Sequence, residues 1–289
     1  MFFPQFLSGA VEFTKNGAQD GDPGLVMQFI KNLARKSALL SRIERMRLIS
    51  EQYLAPSGYW HSYPADSNGN AVPWFTYPAI QFLNGVVQPS WKVFEYGSGY
   101  STVFWNARCA LTVSVEHDES WFNHLKALHP EFDVRLVKEG FDVSRGYLED
   151  LVARFEAESF ELPTLPDRQS NIDHGLLNRE FANYAAQVTE FPKGFFDVIV
   201  VDGMARCLCL YAAAEYIADE GVIVLDNSDR WQYNDLQDYL VRSKGFKRID
   251  FDGLGPLRAA GWITSIFFKS AAFPICVETR RDRGSGDLG

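Results

Sequence analysis

The sequence predicts an α/β doubly wound fold, in which a mostly parallel sheet is covered by helices on both faces. Three observations lead to this prediction. From residue 91 onward, segments typical of strands alternate with segments typical of helices. Some of the strand segments, such as 198–201 with the sequence Val-Ile-Val-Val, are continuously apolar, as a sheet buried on both faces requires. The first strand also runs directly into a glycine-rich turn that opens a helix.

The alternation predicts a place for each element. The strands are expected at 92–96, 111–116, 132–138, 196–201, 222–225, 245–251 and 262–269. The helices of this region are expected at 101–108, 119–128, 178–190 and 206–218. The last two strands are joined by a loop that is too short for a crossover helix. They must therefore pair antiparallel or leave the sheet.

The rest of the chain divides into an N-terminal extension, an insertion and a tail. Residues 1–90 are expected to form a helical extension, with a long helix over 23–54 followed by an aromatic loop that acts as a lid. Residues 91–270 form the α/β domain, which is interrupted by a polar, irregular insertion at 140–178. Residues 271–289 are a polar tail. The basic face of the long helix is either exposed to solvent or a surface for self-association. A homo-oligomer is the expectation under the second alternative.

Composition and charge narrow the classes of function. The 289 residues are 46% hydrophobic and 22% charged, which is ordinary for a globular protein. The net charge of −9 argues against a nucleic-acid partner, because such binding depends largely on neutralised phosphates. No apolar run approaches the roughly 18 residues of a membrane span, and the start lacks a signal-peptide pattern. A cytoplasmic protein without membrane partners is therefore expected.

The strongest functional signal follows the first predicted strand. Residues 95–102 read Glu-Tyr-Gly-Ser-Gly-Tyr-Ser-Thr. Gly97 and Gly99 allow a sharp turn and let a ligand approach the main chain, and the start of the helix presents free N–H groups. Glu116 ends the next strand, where doubly wound folds place a carboxylate that binds ribose hydroxyls. Asp202 ends the fourth strand at the same edge of the sheet. Together these residues predict a small-molecule site at that edge.

A nicotinamide or flavin dinucleotide site is the main alternative for this pattern. The dinucleotide fingerprint has a third glycine at the position that Thr102 occupies here. No tyrosine in the chain is followed four residues later by lysine, so one common reductase arrangement is also missing. The antiparallel pair at the end is foreign to the ordinary dinucleotide fold. An NAD(P)-dependent oxidoreductase is therefore the second hypothesis.

The ordered series of motifs resembles the class I S-adenosylmethionine-dependent methyltransferases. Residues 95–102 are similar to their first motif, Glu116 to their ribose-binding acid and Asp202 to the acid that ends their fourth strand. Residues 221–227 and 261–268 resemble their fifth strand and their reversed seventh strand. The resemblance covers roughly three fifths of the chain. It implies a seven-stranded, mostly parallel sheet with a reversed last strand, and S-adenosylmethionine as the cofactor.

The resemblance also implies which residues contact the cofactor. They are Glu95, Gly97, Ser98, Gly99, Ser101, Thr102, Glu116, His117 and Asp202. Ser101 and Thr102 would bind the methionine carboxylate, Glu116 the ribose, and His117 would lie beside the adenosine. Each has a structural alternative: Ser101 and Thr102 suit a helix N-cap whatever the ligand, and Glu95 could pair locally.

Methyl transfer from a sulfonium is an in-line displacement, which requires positioning and, for a hydroxyl acceptor, removal of a proton. A resemblance to catechol O-methyltransferase-like enzymes makes Asp202, Asp226 and Asn227 candidate magnesium ligands, since all three are oxygen donors. The same residues also suit caps and turns. Without a metal, the candidate general bases are Asp202, His117 and His61.

The acceptor is expected to meet residues outside the core motifs. Trp74 and Tyr77 in the aromatic N-terminal segment, and Arg206 and Arg230 beyond the fourth and fifth strands, are the candidates. The aromatic residues could equally seal the extension on the sheet, and the arginines could be exposed. The leading hypothesis is a methyltransferase acting on a hydroxyl of a sugar or secondary metabolite. A third hypothesis is a non-catalytic methyltransferase-like scaffold that binds a partner.

Overall fold

The computed structural model describes the sheet, its helices and short segments beside them. The described residues are 64–65, 70–140, 150, 153–154, 157, 179–256 and 260–270. The predicted helix over 23–54, His61, most of the insertion at 140–178 and the tail at 271–289 lie outside them. Within the described part, no helix is long and apolar enough to cross a membrane.

The sheet has seven strands. They are β1 Lys92–Tyr96, β2 Leu111–Glu116, β3 Asp133–Leu136, β4 Phe196–Val201, β5 Ile217–Leu225, β6 Lys247–Gly253 and β7 Trp262–Phe268. The helices are α1 Tyr77–Val86, α2 Tyr100–Asn106, α3 Glu119–Leu128, α4 Ala182–Ala185, α5 Arg206–Tyr216 and α6 Asn234–Arg242. Short 3₁₀ turns at Arg179–Phe181, Ala186–Glu190 and Trp231–Tyr233 flank α4 and precede α6.

The strand order is β3-β2-β1-β4-β5-β7-β6. Strands β1 to β5 run parallel to one another, whereas β7 runs antiparallel to both β5 and β6. The predicted fold class is thereby confirmed, including the reversed last strand. The antiparallel pairing of the last two strands, predicted from their short connection, is confirmed too.

Buried side chains form one cluster on each face of the sheet. Phe94 and Val93 are neighbours on β1 but belong to different clusters, as the alternation of a strand requires. The first cluster packs α4, α5 and α6 against the sheet, and the second packs α1 and α2. This double cover explains why β4 is continuously apolar over 198–201.

The segment before α1 is bonded to the end of the sheet. The main-chain N–H of Thr76 donates to Thr264 Oγ1 on β7 at 3.1 Å. The N–H of Tyr77 donates to the carbonyl of Leu254, just after β6, at 2.7 Å. Phe75, which directly precedes these two residues, is fully buried. The part of the predicted extension nearest the α/β domain therefore shares its core.

Several elements differ from their predicted bounds, β5 clearly so, and one helix was missed. Strand β5 begins at Ile217 rather than at 222, because α5 ends at Tyr216 and the chain turns extended at once. Helix α6 was not predicted, since its sequence is mostly polar. Its apolar contacts come from Leu236 and Leu240, and this i, i+4 spacing was the available signal.

Candidate functional site

The carboxyl ends of β1, β2, β4 and β5 form the candidate site. The order of the sheet reverses between β1 and β4, and ligands of doubly wound folds bind at this switch point. Hydrogen bonds continue past the strand ends: Gly97 N–H donates to the Val115 carbonyl at 2.9 Å, and Asp202 N–H to the Tyr96 carbonyl at 2.9 Å. The predicted residues of the first, second and fourth strands are thus brought to one edge.

Gly97 and Gly203 place the loops after β1 and β4 in direct backbone contact. Gly97 has φ +93°, a left-handed value that favours glycine. A Cβ on Gly97 would lie 2.8 Å from Gly203 Cα, and one on Gly203 would lie 2.1 Å from Tyr184 Oη. Gly203 is not among the predicted site residues. The Asp-Gly pair after the fourth strand was the signal that could have indicated it.

Gly99 differs from Gly97, because open space lies beside it. A Cβ added at Gly99 meets no atom within 4 Å among the described residues. Its φ of 174° is extended, so the backbone does not require glycine here. Among the described residues, glycine at position 99 therefore leaves room at the end of β1. It is not needed to relieve backbone strain.

Glu95 is the centre of a buried polar network behind this loop. Thr102 Oγ1 donates to Glu95 Oε2 at 2.5 Å, and Ser114 Oγ donates to the same oxygen at 2.7 Å. Gly99 N–H in turn donates to Thr102 Oγ1 at 2.9 Å. Within the described residues, Glu95 Oε1 is buried without a hydrogen-bond partner. Burial raises the pKa of Glu95 to about 7, although hydrogen bonds from Ser101, Thr102 and Ser114 oppose the rise.

This network bears on the predicted role of Thr102. A hydroxyl has one proton to donate, and Thr102 donates it to Glu95. The Thr102 side chain is also fully buried, and Ser101 is 5% exposed. The Thr102 hydroxyl therefore supports the glycine loop from behind, and the contact between Thr102 and a methionine carboxylate stays a prediction.

The titration of Glu95 is expected to make stability depend on pH. Its folded-state pKa of about 7 lies above the ordinary value of 4.5, so folding favours the protonated carboxyl. The stabilisation is complete below about pH 4.5 and is lost as pH rises through about 7, a change of about 3 kcal/mol. Urea unfolding across this range should show a steeper fall for the wild type than for Glu95→Gln. Asp202 and Asp226 titrate in both proteins, and the Glu95 charge acts on Asp202 only in the wild type, so parallel profiles would contradict the assignment.

Glu116 anchors the loop from the neighbouring strand. Its Oε2 accepts hydrogen bonds from the N–H and the hydroxyl of Ser98 at 3.1 and 2.9 Å. Its Oε1 accepts from the N–H groups of His117 and Asp118 at 2.8 and 2.9 Å. Burial would raise the pKa of Glu116, but the imidazole of His117 and the hydrogen bonds from Asp118 and Ser98 outweigh it and lower the pKa. Glu116 is therefore an ionised carboxylate at neutral pH, beside the loop that holds Gly99.

His117 lies next to this carboxylate. Its Nδ1 is 3.0 Å from Glu116 Oε1, and its ring packs edge-on against Phe181 and Tyr184. The contact with Glu116 raises the pKa of His117. A raised pKa increases the cationic fraction at neutral pH, which makes His117 a weaker candidate for general base.

Arg206 joins the loops after β4 and β5, and we call this set of contacts the Arg206 network. Its Nε donates to the Gly203 carbonyl at 3.0 Å, and its Nη2 donates to the carbonyl and Oδ1 of Asp202 at 3.1 and 2.9 Å. Its Nη1 donates to the Asp226 carbonyl and to Asn227 Oδ1. All five N–H groups of the guanidinium are thus engaged. The prediction that Arg206 binds the acceptor is wrong for this reason.

The predicted magnesium ligands do not fit a metal ion. Asp226 Oδ1 accepts from Trp262 Nε1 at 2.9 Å and from Thr264 Oγ1 at 2.7 Å, both on β7. Asp202 Oδ1 and Asn227 Oδ1 are bonded to arginine instead. Oxygen donors of suitable type are present, but they converge on a guanidinium.

The remaining acceptor candidates differ in exposure. Trp74 is 45% exposed, on the segment that is bonded to the ends of β6 and β7. Tyr77 is buried at the start of α1. Its burial agrees with the alternative in which the aromatic residues pack the extension against the sheet. Arg230 Nη2 donates to Asn227 Oδ1 at 3.0 Å and is partly exposed. Acceptor contacts by Trp74 and Arg230 stay predictions.

Comparison with known proteins gives matches among solved structures. A methyltransferase-like protein from Silicibacter pomeroyi is 20% identical over 65% of this chain and 84% of its own, with a TM-score of 0.36. A candidate O-methyltransferase from Klebsiella pneumoniae is 13% identical over 66% and 77%, with a TM-score of 0.41. A candidate methyltransferase from Streptococcus mutans, in complex with SAH, is 8% identical over 65% and 93%, with a TM-score of 0.36.

No protein-family model matches the chain, and no curated protein matches it. The assignment of the fold therefore rests on the strand order and on the reversed β7, which are independent of these matches.

Proposed function

We propose that the protein is an S-adenosylmethionine-dependent methyltransferase that acts on a small-molecule acceptor, with O-methylation of a hydroxyl as the reaction. The observation that carries this proposal is the open space beside Gly99, at the switch point of a sheet whose last strand is reversed. The neighbouring Glu116 ends β2, where doubly wound folds place a carboxylate for ribose hydroxyls, and a ribose would exchange for one of the four hydrogen bonds that Glu116 now accepts.

The polar groups around the loop fit this cofactor. Glu95 offers a buried carboxylate oxygen without a partner in the described part of the chain, and a ligand carrying an ammonium group would satisfy it. When bound, S-adenosylmethionine supplies the methyl group on its sulfonium. The chain itself shapes the loop: Thr102 holds it from behind, and Ser98 ties it to Glu116.

A nicotinamide dinucleotide suits this edge less well. The third glycine of the dinucleotide fingerprint lets the helix pack closely on the strand. Thr102 occupies that position, and its side chain fills the space between α2 and Glu95. The antiparallel β7 also distinguishes this sheet from the ordinary dinucleotide fold. These two features favour the methyltransferase over an oxidoreductase.

Asp202 is the proposed general base for a hydroxyl acceptor. Its side chain is 21% exposed, so an acceptor can reach it. Burial raises the pKa of Asp202, while Arg206 opposes the rise. The raised pKa, about 8, makes the ionised form of this carboxylate a stronger proton acceptor than an ordinary one. His117, the other described candidate, is weakened by its contact with Glu116.

The experiment that tests the function is calorimetric titration of the purified full chain with S-adenosylhomocysteine, and separately with NAD⁺ and NADP⁺. Micromolar binding of S-adenosylhomocysteine alone is expected, and it would justify a screen of hydroxylated acceptors for methyl transfer. Binding of a dinucleotide alone would support the oxidoreductase. Binding of none of these ligands would favour the non-catalytic scaffold and would overturn the proposal.

A further inference from the structure

The Arg206 network occupies the place where a divalent cation was expected from the sequence. We infer that the Arg206 guanidinium is a built-in cation, which takes the place of a metal ion between the ends of β4 and β5 and holds both loops in position. The inference concerns a positioning residue, and it is independent of which ligand binds beside Gly99.

The spacing of the oxygen atoms suits a guanidinium. Five oxygens surround Arg206, and each accepts from a different N–H of the planar group. The distance from Arg206 Nη2 to Asp202 Oδ1 is 2.9 Å, and that from Nη1 to Asn227 Oδ1 is 3.3 Å. Mg²⁺ instead requires oxygens at about 2.0–2.1 Å in a near-octahedral shell. Oxygens that are arranged around a planar guanidinium lie too far apart to coordinate one Mg²⁺ ion.

The charges in the network are already balanced. Asp202 and Asp226 are the two acidic residues that act on Arg206, and Arg206 and Arg230 are the two basic ones that act on Asp202, whereas the third acid of these loops, Asp229, is exposed. Burial raises the pKa of Asp202, and the positive charges of both arginines oppose that rise. A divalent cation would add two positive charges beside two guanidinium groups, which is unfavourable at a site so shielded from water.

The main chain shows why both loops need such a cation. Ala205 and Asn227 have φ values of 45° and 52°, in the left-handed region that is costly for alanine. Each residue sits next to Arg206 or to a carbonyl that Arg206 binds. Arg206 is 9% exposed, so water cannot readily take over its bonds to the carbonyls of Asp202, Gly203 and Asp226. One buried side chain therefore holds two left-handed turns, of which the one at Ala205 is strained.

Chemical rescue of Arg206→Ala tests this role directly. The variant lacks the cation but keeps all five oxygens, so the free guanidinium ion should bind there. At a guanidinium concentration tenfold above its Kd, we expect the Tm of the variant to rise by about 3–6 °C. Mg²⁺ at the same concentration should leave its Tm unchanged. Arg242→Ala is the matched control, because Arg242 is 78% exposed and guanidinium should not stabilise that variant.

A second measurement uses the wild type and decides the question even if Arg206→Ala does not fold. Mn²⁺, a paramagnetic substitute for Mg²⁺, is titrated into the wild type and into Asp202→Asn, and the free ion is followed by electron paramagnetic resonance. Equal free Mn²⁺ in the two proteins is expected. Mn²⁺ binding by the wild type that Asp202→Asn abolishes would overturn the inference. Rescue of Arg206→Ala by Mg²⁺, or no rescue by guanidinium, would also overturn it.

Discussion

Replacing Gly97 by alanine is expected to lower the free energy of unfolding by about 3 kcal/mol or more. Alanine at φ +93° is strained, and its Cβ would meet the Gly203 backbone at 2.8 Å, where neither loop can yield easily. Strain and overpacking each cost about 1–3 kcal/mol. Urea unfolding of the purified variant measures the sum.

Gly245→Ala separates the two contributions to this loss. Gly245 has φ +75°, but a Cβ there meets no described atom within 4 Å. Its substitution should therefore cost only the conformational part, about 1–2 kcal/mol. If Gly97→Ala proved no more destabilising than Gly245→Ala, the contact between the two loops would not be as close as described.

The second large effect is expected for Arg206→Ala, which should lower the free energy of unfolding by about 3–5 kcal/mol. The substitution leaves the Asp202 carboxylate and several carbonyl oxygens without their donors in a buried place. Chemical denaturation near neutral pH measures the loss. The exposed Arg242, which pairs with Asp238 on α6, is the control, and its replacement should cost less than about 1 kcal/mol. Equal losses for the two variants would contradict the account of the Arg206 network.

The fold was predictable because its signals are local. The apolar runs of β4 and β5 and the glycine turn after β1 each indicate their own element, and the short connection between β6 and β7 indicates their pairing. Once the strands are parallel neighbours, Gly99, Glu116 and Asp202 must meet at one edge. The strand order confirms that edge without any information from outside the chain.

The parts that could not be predicted depend on contacts between distant segments. Gly203 and Gly97 are far apart in sequence, and only their packing shows that neither can carry a side chain. Asp202, Asp226 and Asn227 have the oxygen atoms that a magnesium site needs, but the position of Arg206 decides what those atoms bind. The sequence does not show these bonds of Arg206. Two predictions therefore missed them: the metal site, and Arg206 as an acceptor contact.

Helix α6 illustrates a weaker signal. Leu236 and Leu240 supply its buried face, and Gln237 is also buried, with its Nε2 donating to the Ser228 carbonyl at 2.9 Å. A buried glutamine gives no apolar pattern, so the helix looks like a polar connection in the sequence. Tertiary packing rather than periodicity determines this element.

The most direct test of the central claim compares S-adenosylhomocysteine binding by the wild type and by Gly99→Val. The valine side chain would enter the open space beside Gly99, while the extended φ there allows any residue, so the fold should lose no more than about 1 kcal/mol. By calorimetry, we predict micromolar binding to the wild type and at least tenfold weaker binding to the variant, a difference of about 1.4 kcal/mol. Equal binding by the two proteins, or none by a folded wild type, would contradict the claim that the cofactor lies against Gly99.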